Sequence, residues 1–156
     1  MLSLRVVSPD SGVCFEDLQV GDEFQSPGRT VTETDIVIFA GLSGDYNVLH
    51  TDAEHMKGSV FGERIAHGLL ALSIQQGLLD RSMPERSRER FVGLKWKFRG
   101  PIKIGDTLHV QARITAKKEA DEPGWGSVTM ERQILNQRGE VVQEGETEHL
   151  VSRRAA

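Results

Sequence analysis

Between Phe91 and Phe98, apolar Val92, Leu94, Trp96 and Phe98 alternate with Gly93, Lys95 and Lys97. That period of two marks a strand with one buried face. Leu108, Val110, Ala112 and Ile114 repeat the pattern. Turn signals at Gly124-Trp125-Gly126 and Gln137-Arg138-Gly139 separate two further strands, around Val128 to Leu135 and around Val141 to Val151. The segment from Ala66 to Leu79 has another rhythm. Leu69, Leu70, Leu72, Ile74, Leu78 and Leu79 cover most of a helical circumference, which predicts a buried helix with the rest of the chain wrapped around it.

Ahead of that helix, the run from Phe15 to Phe24 reads as a turn and a first strand, punctuated by Gly21-Asp22 and Pro27-Gly28. Thr32 with Asp35 three residues on has the form of a capping box, so a helix is predicted to begin there. Ile36, Phe39 and Ala40 give it an apolar face, and Gly41 and Gly44 end it near Ser43, leaving Asp45 on a loop. The charged run Glu85 to Arg90 reads as a loop after the long helix, and about four strands in a meander follow. A short strand and helix, a buried helix and a run of strands call for an α+β domain, an antiparallel sheet curled around one long helix. At 156 residues there is room for one such domain. Its expected extent is 15–152, with an N-terminal extension over 1–14 and a tail over 153–156.

Composition narrows the function. Hydrophobic residues make up 38% and charged residues 27%, as in ordinary globular proteins. A formal net charge of -4 gives the surface as a whole no attraction for nucleic acid or an anionic membrane, although a local basic pocket for a phosphorylated ligand is compatible with it. Cys14 is the only cysteine, which excludes an intrachain disulfide and a thiolate metal cluster and suits a reducing cytoplasm. The first twenty residues carry Asp10, Glu16 and Asp17 without a signal-like apolar run, and no later stretch is long and apolar enough for a membrane span. A cytoplasmic protein is the expectation.

The candidate chemistry is concentrated in Phe39-Ala40-Gly41-Leu42-Ser43-Gly44-Asp45-Tyr46-Asn47-Val48-Leu49-His50. Taken singly, Asp45 is an ordinary turn residue after a glycine and His50 an ordinary histidine. Together with Asn47 they resemble the Ser-Gly-Asp-x-Asn-Pro-x-His signature of (R)-specific enoyl-CoA hydratases and other MaoC-like dehydratases, a family with the hotdog fold. Phe61-Gly62-Glu63-Arg64-Ile65-Ala66-His67-Gly68 is similar to that family's opening of the central helix, and Phe98 to Asp106 is similar to its downstream strand and turn. The likeness spans about Phe15 to Val151. Val48 departs from it by standing where proline is usual, which is expected to alter loop rigidity rather than chemistry.

The resemblance implies a hydro-lyase that adds water to, or removes it from, a 2-enoyl-CoA or acyl-carrier-protein thioester, with the (R)-3-hydroxyacyl form as partner. Asp45 and His50 are implied as the catalytic pair. The residue types suit that work, because a carboxylate and an imidazole can hold one water and exchange protons near neutral pH. The main-chain amide of Gly68 is implied as the oxyanion donor, at a helix N-terminus where free N–H groups and the dipole favour negative charge. Asn47 is expected to hold the loop, Ser73 to line the substrate site, and His67 to cap or pack. No cofactor is expected beyond the coenzyme A or acyl carrier protein that belongs to the substrate.

Two other uses of the same fold are a thioesterase and a non-catalytic acyl-thioester-binding subunit. Metal is not expected: His50 and His55 on a helix would point some 140° apart, unlike the i, i+4 pair of a zinc helix. Lys95, Lys97, Arg99 and Lys103 are candidates for coenzyme A phosphates, although strand alternation places Lys95 and Lys97 on a charged outer face. A single sheet with open edges predicts at least a homodimer.

Overall fold

The computed structural model describes residues 12–83 and 89–154. A 3-10 turn at Phe15–Asp17 leads to β1 (Glu23–Gln25) and β2 (Arg29–Thr30). Four helices follow, α1 (Glu33–Ser43), α2 (Val48–Thr51), α3 (Ala53–Lys57) and α4 (Gly68–Asp80). Strands β3 (Glu89–Phe98), β4 (Thr107–Glu119), β5 (Trp125–Leu135) and β6 (Val141–Ser152) complete the chain. The sheet is antiparallel in the order β1-β4-β5-β6-β3, with β2 pairing β4 beside that path. Helix α4 lies across it, which is the expected α+β hotdog arrangement.

Two expectations are corrected. The strands after α4 do not form a simple meander, because β3 pairs with β6 rather than β4. The link from Arg99 to Asp106 makes no hairpin. The amides of Arg99 and Gly100 bind Val142 O on β6, while Ile102 O accepts from Ala66 just before α4, so the link crosses the end of the sheet. The run from Phe15 to Phe24 is a turn and a first strand as expected, a 3-10 turn followed by the short β1. Glu89 and Arg90, expected in a loop, open β3, while the rest of that charged run lies outside the described residues.

The core is built between α4 and the sheet. Leu70, Ala71, Ile74, Leu78 and Leu79 face Leu108, Ile114, Met130 and Ile134, all at most 7% exposed. Each fully buried leucine or isoleucine contributes about 1.5–3 kcal/mol by leaving water. The other side of α4 is uncovered in the single chain: Leu69 is 58% exposed, and Ser73 and Gly77 are exposed. Burial all round is therefore not achieved, because one sheet can cover only one flank of a helix. Val13 and Cys14, expected in an extension, are buried, and Val13 joins the core. Arg153 and Arg154 tie the tail back to Glu16, Asp17 and Glu119.

Strand alternation also puts polar groups into this interior. Arg132 on β5 is 1% exposed beneath α4, donating to Gln76 at 2.7 Å and Gln75 at 3.3 Å. Its Nη2 lies 2.6 Å from His149 Nε2. A guanidinium only donates, so His149 accepts there and presents its Nδ1 proton to Glu89, with which it pairs. A carboxylate, an imidazole and a guanidinium thus run in sequence under the second half of α4. The strand period carries Arg132 and His149 inward with Met130, Ile134 and Val151, although their residue types are those usually found at the surface.

Candidate active site

The loop that carries the predicted acid and base is shaped by consecutive helix ends. Thr32 Oγ1 accepts from Asp35 N at 3.3 Å and Asp35 Oδ2 accepts from Thr32 N at 2.8 Å, the reciprocal capping box expected at the start of α1. Gly44 ends α1 in the left-handed region, at φ 75, returning its N–H to Ala40 O. Asp45 follows immediately, half exposed. Asn47 caps α2 by accepting from Leu49 N at 3.0 Å, so His50 stands in the last turn of a short helix anchored at both ends. Val48 is the first residue of α2, where a helix leaves the N–H without an intrahelical partner and tolerates proline.

Asp45 Oδ2 and His50 Nε2 lie 3.8 Å apart. That gap is too long for a direct hydrogen bond. His50 Nδ1 is 2.7 Å from Ile65 O, a carbonyl that can only accept, so Nδ1 carries the proton and Nε2 turns a lone pair toward Asp45. Two acceptors so spaced fit one water between them. With bonds of about 2.8 Å to each, the angle at its oxygen is roughly 85°. Asp45 Oδ1 meanwhile accepts from Asn47 N at 3.2 Å, which directs Oδ2 to His50.

His67 is 2% exposed and immediately precedes α4, but makes no side-chain cap. Its Nε2 donates to Asp45 O at 2.9 Å and its ring stacks on His50 with centroids 3.8 Å apart. It therefore packs, and also ties the loop of Asp45 to the opening of α4. Gly68 begins α4, so its N–H is among those a helix leaves free. Without a Cβ, glycine here lets a ligand approach that N–H closely. The structure adds a packing reason, since a Cβ at 68 would lie 2.8 Å from Cε1 of Phe98.

His50 and Gly68 share a cavity of about 460 Å³ with Phe61, Phe98, Pro101 and Gln143. Its far wall is the link after β3, held by Asp106, whose side chain is 4% exposed and accepts from Lys103 N, Gln137 and Arg138. Burial would raise this carboxyl, but those donors outweigh it and hold it below its ordinary range.

Of the predicted site residues, Asp45, Asn47, His50, His67 and Gly68 are brought together and Ser73 is not. Ser73 is exposed and its Oγ donates to Leu69 O at 2.9 Å. Five residues beyond Gly68, it is turned about 140° away from that residue's face. Lys95 and Lys97 line a separate polar groove on the outer face of the sheet, with Glu131, Glu144 and Glu146. Arg99 reaches the cavity but is bound twice by Glu144, and Lys103 pairs with Glu63. Gln143 was missed. It sits at a strand position whose burial the alternation predicts but whose chemistry it does not.

Asp45, His50 and His67 present possible ligand atoms within 4.8 Å of one another. Each imidazole commits one nitrogen to a main-chain carbonyl, and the rings stack at an interplanar angle of 29°. One nitrogen of each ring is left over, on rings stacked face to face rather than spread around a common centre as in a tetrahedral zinc site. The geometry suits a shared water better than a metal.

A sheet laid on one long helix, with an acid and a base at the helix mouth, defines a hotdog domain equipped for proton transfer to and from water. The sequence model of the MaoC like domain matches residues 17–133, and the chain belongs to that family. It is 38% identical to Protein MaoC of Klebsiella aerogenes over 120 residues, covering 71% of this chain and 35% of that protein, so it spans about a third of that relative's length. It is 36% identical over 140 residues to the (R)-specific enoyl-CoA hydratase of Rhodospirillum rubrum, covering 90% of this chain and 92% of the relative. The crystal structure of the MaoC-like dehydratase from Rhodospirillum rubrum superimposes with a TM-score of 0.84 at 34% identity, over 93% of this chain and 100% of that one.

Proposed function

We propose that the protein is a hydratase/dehydratase that adds water to the double bond of a 2-enoyl thioester, carried on coenzyme A or acyl carrier protein, to give the (R)-3-hydroxyacyl form, and catalyses the reverse. The observation that carries this reading is the 3.8 Å spacing of Asp45 Oδ2 and His50 Nε2, two lone-pair faces turned to one point beside the cavity that His50 and Gly68 line. Similarity to the Rhodospirillum rubrum enzyme over nearly the whole of both chains supports the reaction class and its stereochemistry.

The chemistry follows from the groups in place. A water bound by Asp45 and His50 loses one proton to the pair as its oxygen bonds to C3 of the enoyl thioester. The π electrons move toward the thioester oxygen, and the Gly68 N–H at the positive end of α4 stabilises the resulting enolate. The pair then delivers a proton to C2, so that one H₂O has been added and the pair is restored. Asn47 and His67 support the loop, through the cap on Leu49 and the bond to Asp45 O.

A homodimer is part of this reading. β3 is an outer strand of the sheet, and its Phe91, Val92, Leu94 and Phe98 are each about half exposed, as is Leu69 on the open flank of α4. An unpaired edge beside apolar side chains is a surface that pairing covers. The lone cysteine fits a reducing cytoplasm.

The test is loss of enoyl-thioester absorbance with crotonyl-CoA and longer homologues, followed by chiral analysis of the product. Turnover to the (R)-alcohol is expected. Release of free thiol without loss of the double bond would replace the reading with a thioesterase, and binding without either reaction would make the protein an acyl-binding subunit.

A further inference from the structure

His50 and His67 stack with ring centroids 3.8 Å apart at an interplanar angle of 29°. Rings this close disfavour a positive charge on both at once. One added proton therefore serves the pair, and the surroundings decide which ring takes it. His67 already gives its Nε2 proton to Asp45 O at 2.9 Å, so its open atom is Nδ1. That atom is buried and meets no hydrogen-bond partner among the described residues. Phe39 packs on the same ring, with centroids 5.1 Å apart. A proton on Nδ1 would bury a charge together with an unmet donor. His50 is placed the other way. Its Nδ1 proton goes to Ile65 O at 2.7 Å, and its Nε2 faces the Asp45 carboxylate at 3.8 Å. The other charges around the pair are already matched, Arg99 across the cavity by Glu144 and Arg64 beside Ile65 by Glu33.

We propose that His67 is a positioning residue that acts through His50: it stays neutral, and its ring face backs the imidazolium formed when His50 takes a proton from the attacking water. Its use in turnover rests on the hydratase reading. An O–H bond of the water breaks, its proton joins His50 Nε2 and is passed on to C2, and His67 neither gains nor loses a proton. The face of a neutral aromatic ring attracts a cation within about 6 Å, and the stack holds His50 well inside that distance. At 2% exposed, His67 also keeps solvent from that side of the ring. Its bond to Asp45 O fixes the ring plane and keeps the proton on Nε2, so the support is in place before substrate arrives.

His67→Leu and His67→Phe both lose the donor to Asp45 O, and only phenylalanine keeps an aromatic face against His50. Comparing the two separates the stack from the tie to the loop. His50 must be neutral to act as a base, so kcat/KM for crotonyl-CoA falls on the acid side as it takes a proton, and removing the ring face delays that uptake to lower pH. In His67→Leu the acid limb is expected about 0.5–1 pH lower than in His67→Phe, with kcat roughly 3- to 10-fold lower. A ring that only packs would leave the two limbs together. Coincident limbs, or a limb at higher pH in the leucine variant, overturn the proposal. A measurement on the wild type does not depend on how the variants fold. In long-range ¹H–¹⁵N spectra of ¹⁵N-labelled protein between about pH 5 and 8, His50 is expected to take up the proton while His67 keeps its neutral Nε2–H form. Uptake by His67 overturns the proposal. Those spectra need no substrate: failure of the wild type to hydrate any enoyl thioester would end the hydratase reading, whereas an active hydratase in which His67 takes the proton would lose only the role given to His67.

Discussion

Gly68→Ala separates what the opening of α4 does for the fold from what it does for the reaction. The added Cβ would meet Phe98 Cε1 at 2.8 Å and Cδ1 at 2.9 Å, where carbon atoms settle at about 3.5–4.0 Å. The ring must therefore withdraw by roughly 0.7–1 Å. Phe98 is 55% exposed and free on one side, so the cost falls near the low end of overpacking, about 1 kcal/mol. Alanine offsets it, being favoured over glycine in a helix by about 0.5–1 kcal/mol. The net change in stability is expected within about 1 kcal/mol, a shift of roughly 2–4 °C in a domain of this size. Activity should not be spared. Phe98 lines the cavity, and both the new methyl and the displaced ring stand where the thioester oxygen approaches the Gly68 N–H. Losing such a donor costs on the order of 100-fold, so kcat/KM should fall by roughly 10- to 100-fold. Thermal melting and initial rates of crotonyl-CoA hydration on the same preparation give both numbers. A variant with wild-type kcat/KM, or one destabilised by several kcal/mol, would refute the reasoning.

Three further predictions concern the frame around the site. Val48→Pro should be tolerated and should raise stability by about 0.4–1 kcal/mol in urea unfolding, because position 48 opens α2 and Asn47, at ψ 143, already has the extended backbone required before proline; a lower unfolding midpoint would contradict this. His67→Leu removes the donor to Asp45 O and the ring stacked on His50. It is expected to cost about 1–2 kcal/mol and to lower kcat more than it raises KM, and unchanged kinetics would deny His67 its hold on the loop. Asp106 is held below the ordinary carboxylate range in the folded protein, so its contribution is present above about pH 4 and is lost as pH falls toward the depressed folded value. Asp106→Asn should therefore flatten the loss of stability between roughly pH 5 and 3, and an unaltered slope in urea midpoints against pH would contradict the assignment.

How much of this was legible depended on whether a local signal existed. Thr32, Asp35 and Gly44 carry their own instructions, a capping box and a left-handed stop, so α1 and the loop position of Asp45 could be read directly. The strand partners could not, since alternation says which face is buried and not which neighbour covers it. β3 therefore joins β6 against expectation, and the Arg99 to Asp106 link that decides this is fixed by contacts with β6 and with Ala66. The open flank of α4 was misread because leucines around a helix signal burial without saying whether the cover comes from its own chain. Arg132, Gln143 and His149 were illegible for another reason. Each is a polar residue whose burial is made tolerable only by partners distant in sequence, such as Gln76, Trp96 and Glu89. Ser73 was expected along the substrate from its place on the helix beyond His67, and the structure leaves it exposed on the open flank of α4, donating to Leu69 O.

The most direct test of the central claim, that Asp45 and His50 act on one shared water, is a double-mutant cycle in kcat for crotonyl-CoA hydration, comparing Asp45→Asn, His50→Gln and the double variant. Groups that work as a unit are lost together, so each single change should remove most of the activity and the second should remove little more. Losses that multiply, with the double variant slower by the product of the two single effects, would mean that the two side chains act independently and would contradict the account.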